Sequence, residues 1–187
     1  MKLKLGSLKI AVDEVRAPVT SANFIRYVRS DIYNGASFYR AVRRDNQIAD
    51  PFIDIVQGGI GLAVFAESFE PPFEPIPHET TNETGIRHLN GTISMGRMSV
   101  GTASSEFFVC IGDQPELDWG GRRNPDGYGF AAFGRIVDGM DLIHRIHLAP
   151  TTNDAPDNWP TLRGQLLSQP IYIESAQVVE HELPAPS

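Results

Sequence analysis

A chain of 187 residues, 41% apolar and 21% charged, can bury one substantial core and is not disordered throughout. Its net charge of −7 argues against nucleic acid as the main partner, and its single cysteine, Cys110, excludes an intrachain disulfide or a cysteine-built metal site. No apolar run reaches the roughly 18 residues of a membrane span and no signal-peptide pattern opens the chain, so the sequence as printed points to the cytoplasm; a leader removed beforehand would point to the periplasm.

The first residues alternate, Leu3 and Leu5 before Gly6-Ser7, then Leu8, Ile10 and Val12, which predicts two strands joined by a tight Gly-Ser turn. "APVTSANFIRYVRS" follows, with Thr20 or Ser21 as a cap and Phe24, Ile25 and Val28 at helical spacing, so a helix is expected to about Ser30. Strands are predicted at 37–42, 52–57, 91–95, 108–111, 130–137 and 171–179, and a second helix begins after Asp138-Gly139. About eight strands and two helices suggest a mainly β protein, a closed antiparallel barrel or a sandwich with helices over its open ends. A single domain over 1–180 is expected, with a disordered tail at 181–187. Three long loops, 61–90, 112–129 and 149–169, are rich in Pro, Gly, Asn and Asp and have room to shape a groove.

Three short stretches raise chemical questions. In "EFFVC" the neighbours Phe107 and Phe108 must point to opposite faces of a strand, so only one ring fills the core. In "SFYRAV" alternation places Phe38, Arg40 and Val42 on one face and Tyr39 and Ala41 on the other. Arg40 is then either a stem lying along the surface or a charge aimed at a ligand. Gln57 ends an apolar strand before Gly58-Gly59, and is either structural or a holder of the Arg40 guanidinium. Bland readings suffice elsewhere: Cys110 is a small buried hydrophobe, and His144 and His147 lack a third metal ligand. Ser94 in "TISMG" is not a nucleophile elbow, "GGIG" is not a phosphate loop, and the sequons at Asn82 and Asn90 are too short a pattern to carry weight.

Taken together, "SFYRAV", "VQGG", "NGTISMGR", "SSEFFVCIG" and "FAAFGRIVDGMDLI", in this order and at these distances, resemble the cyclophilins, the peptidyl-prolyl cis-trans isomerases, over roughly residues 5–180. The resemblance is to divergent, bacterial-type members. It implies an eight-stranded closed antiparallel barrel capped by two α-helices, with an outer groove that binds proline-containing peptides and unfolded or folding proteins. It implies that Arg40 is the catalytic arginine, Gln57 the glutamine beside it, and Phe108 the pocket phenylalanine, with Phe107 inside. No cofactor, metal or nucleophile is required, and the family default is a monomer.

The chain departs from the family pattern around that groove. Arg40 and Gln57 lie 17 positions apart, with "AVRRDNQIADPFIDIV" between them, an insertion beside the groove. Ile55 stands for the usual methionine and Asp54 for a phenylalanine, a loss that Phe52 or Ile53 would have to make good. Glu106 replaces a glutamine, and its carboxylate is expected to reach either Arg40, competing with substrate, or Arg97. Gly96 and Arg97 replace Ala-Asn; "ELDWGGRRNPDGYGF" is longer than usual, with Leu117 keeping an apolar position, Trp119 standing near the usual tryptophan, and Phe130 falling where a histidine is common. The resemblance with these changes implies at most weak binding of cyclosporin-type ligands. Two other classes are weighed: a proline-peptide-binding or chaperone module with little turnover, and a hydrolase, for which no triad pattern is visible.

Overall fold

The computed structural model describes residues 1–61 and 69–179, so the tail expected at 181–187 and part of the first long loop lie outside the described residues. Strands β1 (Lys2–Leu3) and β2 (Gly6–Ser7) form a hairpin whose turn is Lys4-Leu5, two residues earlier than the sequence suggested. Gly6, at φ +145°, is the first residue of the returning strand, a backbone position that suits glycine.

The remaining strands are β3 (Lys9–Val12), β4 (Ser37–Val42), β5 (Ile55–Gly59), β6 (Thr92–Met95), β7 (Phe107–Cys110), β8 (Ala131–Asp138), β9 (Thr151–Thr152) and β10 (Leu166–Ser175). They pair antiparallel in the order β2-β1-β10-β4-β5-β7-β6-β8-β3, with β9 added to β10. The two ends of that path are joined by one residue, Leu8, which exchanges backbone hydrogen bonds of 2.8 and 2.9 Å with Met1. Counting β2 and β3 as one bent strand gives the expected eight around the barrel. Closure leaves few unpaired edges.

Two predicted boundaries shift for local reasons. Residues 52–54 are drawn off β5 because the Gln47 side chain bonds both the N–H and the carbonyl of Ile53. Strand β10 begins five residues before position 171 because Pro170 falls where its pairing with β4 is irregular, a place where a missing N–H costs little.

Helix α1 (Pro18–Arg29) starts from Ala17, so Thr20 and Ser21 are inside the helix and are not its cap. Pro18 has no N–H to satisfy, and the next two backbone N–H groups, of Val19 and Thr20, donate to the Glu79 carboxylate at 3.1 and 2.7 Å. Helix α2 (Thr81–Thr84) is one turn in a predicted loop, closed by Thr80 and Glu83 in a reciprocal capping box and ended by Gly85 at φ +67°. Helix α3 (Met140–His147) begins as predicted.

Both longer helices lay their apolar sides on the interior, α1 through Phe24, Tyr27 and Val28 and α3 through Leu142, Ile143 and Ile146. Phe107 is fully buried there, its ring meeting Phe24, Tyr33 and Phe38 edge-on at 5.4–5.6 Å between centroids. A second apolar cluster lies apart from this core: Val42, Ile53, Ile55, Phe108, Cys110 and Leu117, with Phe130 against it. Cys110 is buried, and burial pushes its thiol well above the ordinary value. Among the described residues no helix is long and apolar enough to cross a membrane.

Candidate functional site

The site is built on one cross-strand row. Arg40 on β4 pairs with Gln57 on β5, Gln57 with Phe108 on β7, and Phe108 with Ser94 on β6. Opposite residues in antiparallel strands have Cβ atoms about 4.5–5.5 Å apart, so four chemically different side chains become neighbours.

A bulge makes this row possible. Between Phe38 and Arg40 the register slips so that Phe38 faces Gly58 and Arg40 faces Gln57, leaving Tyr39 as the extra residue. Strict alternation therefore fails: Phe38 joins the interior with Ala41, whereas Arg40 and Val42 lie toward the groove and Tyr39 packs with Leu162 and Leu166 outside. Arg40 and Tyr39 thus share a side that a regular strand would have denied them.

The Arg40 guanidinium is held from two directions. Nη1 donates to Gln57 Oε1 at 2.9 Å, while Nε and Nη2 donate to Gln165 Oε1 at 2.9 and 2.6 Å. Gln165 is in turn fixed by its Nε2, which donates to the Asn46 carbonyl at 3.1 Å. Three of the five guanidinium N–H groups are used, and one remains on each terminal nitrogen. Burial lowers the Arg40 pKa to about 10, Tyr39 opposing the shift and Arg123 adding to it, so the group stays charged at neutral pH.

Glu106 reaches neither Arg40 nor Arg97, which corrects both arrangements expected for it. Its Oε2 accepts from Tyr39 Oη at 2.6 Å, and its Oε1 accepts from the Ile60 N–H at 2.8 Å and from Ser105 Oγ at 3.2 Å. Gln57 Nε2 donates to Tyr39 Oη at 2.7 Å. The chain of bonds has one direction: an ionised Glu106 only accepts, so Tyr39 donates to it, Tyr39 accepts from the Gln57 amide, and the Gln57 carbonyl is left facing Arg40. Gly59, at φ +147°, makes room for this carboxylate, since a Cβ there would collide with it.

Burial raises the Glu106 pKa to about 7 against the bonds from Tyr39, Ile60 and Ser105. Below its ordinary value of 4.5 the group is protonated folded and unfolded alike. As the pH rises toward 7 the unfolded chain ionises first, so stability falls through this window and the loss is complete above it. The expected loss is about 3 kcal/mol. Urea unfolding against pH should show it in the wild type and not in Glu106→Gln; equal slopes in the two would contradict it.

The cavity beside this network has a volume of about 420 Å³. It brings together Arg40, Gln57, Ile55, Glu106, Gly96, Arg97, Phe108, Leu117 and Phe130, nine of the ten residues expected from sequence. Trp119 is the exception: it is exposed and packs edge-on against Tyr128 at 4.8 Å, outside the cavity, while Trp159 from the last long loop lines it. Of the two residues that could make good the lost phenylalanine, Ile53 is buried at the cavity wall, whereas Phe52 is exposed with the Arg44 guanidinium over its ring. Arg97 faces the cavity but is neutralised by a two-pronged pair with Asp126 at 2.8 and 2.9 Å and bonds the Gly129 carbonyl. That fixes the loop that carries Phe130, whose ring meets Phe108 edge-on at 5.2 Å.

Behind Phe108 the fold assembles a group that the sequence did not suggest. His88 stacks on the Phe108 ring at 5.9 Å, with Nδ1 2.8 Å from Asp118 and Nε2 3.0 Å from Ser94 Oγ. Ser94 and His88 are sealed from solvent, so this Ser-His-Asp arrangement has no access for a substrate and props the pocket ring from behind. Burial lowers the His88 pKa, which favours the neutral ring; on Asp118 burial acts upward, but bonds from His88 outweigh it. His147 is likewise committed, its Nε2 bonding the Val42 carbonyl at 3.0 Å. Among the described residues no group of three His, Cys, Asp or Glu side chains could hold a metal.

Comparison with known proteins identifies the family. The family model described as cyclophilin type peptidyl-prolyl cis-trans isomerase/CLD matches residues 1–176. The chain belongs to that family and is a peptidyl-prolyl cis-trans isomerase. It is 34% identical over 177 residues to peptidyl-prolyl cis-trans isomerase A of Dickeya dadantii, covering 94% of this chain and 80% of that protein. It is 30% identical over 182 residues to peptidyl-prolyl cis-trans isomerase B of Escherichia coli, covering 94% and 95%. A solved cyclophilin-type isomerase of Cryptosporidium parvum, crystallised in the presence of the dipeptide Ala-Pro, shares the fold at a TM-score of 0.70 and 16% identity, covering 97% of this chain and 98% of that one.

Proposed function

We propose that this groove accelerates rotation about X-Pro bonds by stabilising the twisted amide with Arg40. Conjugation gives the bond a barrier of about 18–20 kcal/mol and an uncatalysed time of tens to hundreds of seconds. When the bond twists, conjugation is lost and the proline nitrogen regains a lone pair. A donor aimed there is useful only in the transition state, and such a donor raises kcat.

The observation that carries this reading is the clamped guanidinium, held by Gln57 and Gln165 with N–H groups to spare at the wall of a cavity whose neighbouring surface is apolar. Phe108, Ile53, Ile55, Leu117 and Phe130 would receive the proline ring while the other half turns. Reaching a turnover of about 10–10³ per second requires about 4–7 kcal/mol, within reach of one preorganised charged donor in a partly dry site. Proline-containing segments of unfolded or folding proteins are the proposed clients, the protein acting as a monomer. Cyclosporin-type ligands should bind weakly, since Trp119 lies off the cavity.

Exchange spectroscopy on Ala-Pro and Leu-Pro peptides tests this. Accelerated cis-trans exchange is expected with the wild type, and Gln165→Leu should lower kcat about tenfold while leaving the peptide Kd within about twofold. Peptide binding without faster exchange would replace the isomerase reading with a peptide-binding module.

A further inference from the structure

Arg123 belongs to the lengthened segment after Leu117 and enters the same cavity as Arg40. Its Nη1 donates to the Pro51 carbonyl at 3.0 Å and to Gln47 Oε1 at 3.3 Å, so the two stretches in which the chain is longer than its family pattern meet at the groove. Its Nε and Nη2 have no hydrogen-bond partner among the described residues.

The charge balance there is unusual. Arg97 is neutralised by Asp126, and Arg122, next in sequence, by Glu116 at 3.0 Å. Neither Arg123 nor Arg40 has a carboxylate within salt-bridge distance among the described residues. Among the described residues Glu106 is the one acidic side chain that lines the cavity, and it is committed to Tyr39, Ile60 and Ser105. Arg123 also acts on Arg40, lowering its pKa, so the two cations are near enough to repel. Burial disfavours the Arg123 charge as well. Two like charges, partly desolvated and facing one cavity, are relieved by an anion that enters between them.

We propose that Arg123 is a specificity-determining residue that makes the groove prefer proline peptides carrying a carboxylate on a residue flanking the proline. Its anchor, Pro51, lies two residues from Ile53 in the wall of the ring pocket, so Arg123 is at the rim of that pocket, within reach of the neighbouring residue's side chain. The inference rests on the groove being the X-Pro site.

The test is kcat/KM by exchange spectroscopy on peptides identical except for Glu, Gln or Lys immediately before or after the proline. With the wild type, Glu at one flank should exceed Gln about fivefold, Lys should fall below Gln, and the preference should shrink with added salt. In Arg123→Gln the Glu/Gln ratio should fall to about one, whereas Arg123→Lys should keep part of it. That partial rescue separates charge from mere support of the loop. A wild-type ratio near one, or a preference that survives Arg123→Gln, would overturn the inference alone. Absence of exchange on every peptide would overturn the isomerase reading and this inference with it.

Discussion

Replacing Phe107 with alanine is expected to lower the unfolding free energy by about 3–5 kcal/mol, a cost set by the transfer of a large ring and the cavity it leaves. The ring is fully buried and locked by Phe24, Tyr33 and Phe38, which come from α1, the turn after it and β4, so the space cannot close by a shift of one element. Phe108→Ala, one residue on, should behave differently. Phe108 lies in the outer cluster at the cavity wall, so water can enter the space it leaves, and the loss of stability should be smaller. Its effect belongs in catalysis, as a rise in KM of at least tenfold for an Ala-Pro peptide. Chemical denaturation and exchange kinetics on the pair would decide the assignment. Equal losses of stability with unchanged KM in Phe108→Ala would contradict it.

The difference between these two rings was legible in the sequence, because strand alternation alone puts neighbours on opposite faces. Alternation fails at Arg40 because the register slips there. The bulge at Tyr39 has no marker in "SFYRAV", and without it Phe38 and Arg40 belong to one face. Partners that arrive from far along the chain were also invisible: Gln165 stands 125 residues from Arg40, and Glu106 stands 67 from Tyr39. Ser94 and Asp118 stand only 6 and 30 residues from His88, but no local pattern marks any of the three as partners. By contrast the helix at Thr81–Thr84 has a local marker in the sequence, since Thr80 and Glu83 have the spacing of a capping box. Trp119 was misplaced because the loop that carries it is longer than the family pattern, so counting along it does not give position.

Arg40→Ala should lower kcat by about 10²–10³-fold, the range found when one preorganised donor to a developing charge is removed. The loss should fall on kcat and not on peptide affinity, because the lone pair that Arg40 would engage exists only in the twisted amide. Arg40→Lys should restore little. A lysine can supply the charge, but it lacks the planar fork that bonds Gln57 and Gln165 at once and leaves further N–H groups free. The directional chain from Glu106 through Tyr39 and Gln57 gives the same expectation at one remove: Tyr39→Phe releases the Gln57 amide to turn and should lower kcat by a smaller factor.

The most direct test of the whole account is NMR line-shape analysis of an Ala-Pro peptide at saturating protein, wild type against Arg40→Ala, with Kd taken from the same titrations. Bound-state exchange should be fast in the wild type and lost in the variant, at nearly equal Kd. Exchange that persists at the wild-type rate in Arg40→Ala, or that falls only in proportion to weaker binding, would contradict transition-state stabilisation by Arg40.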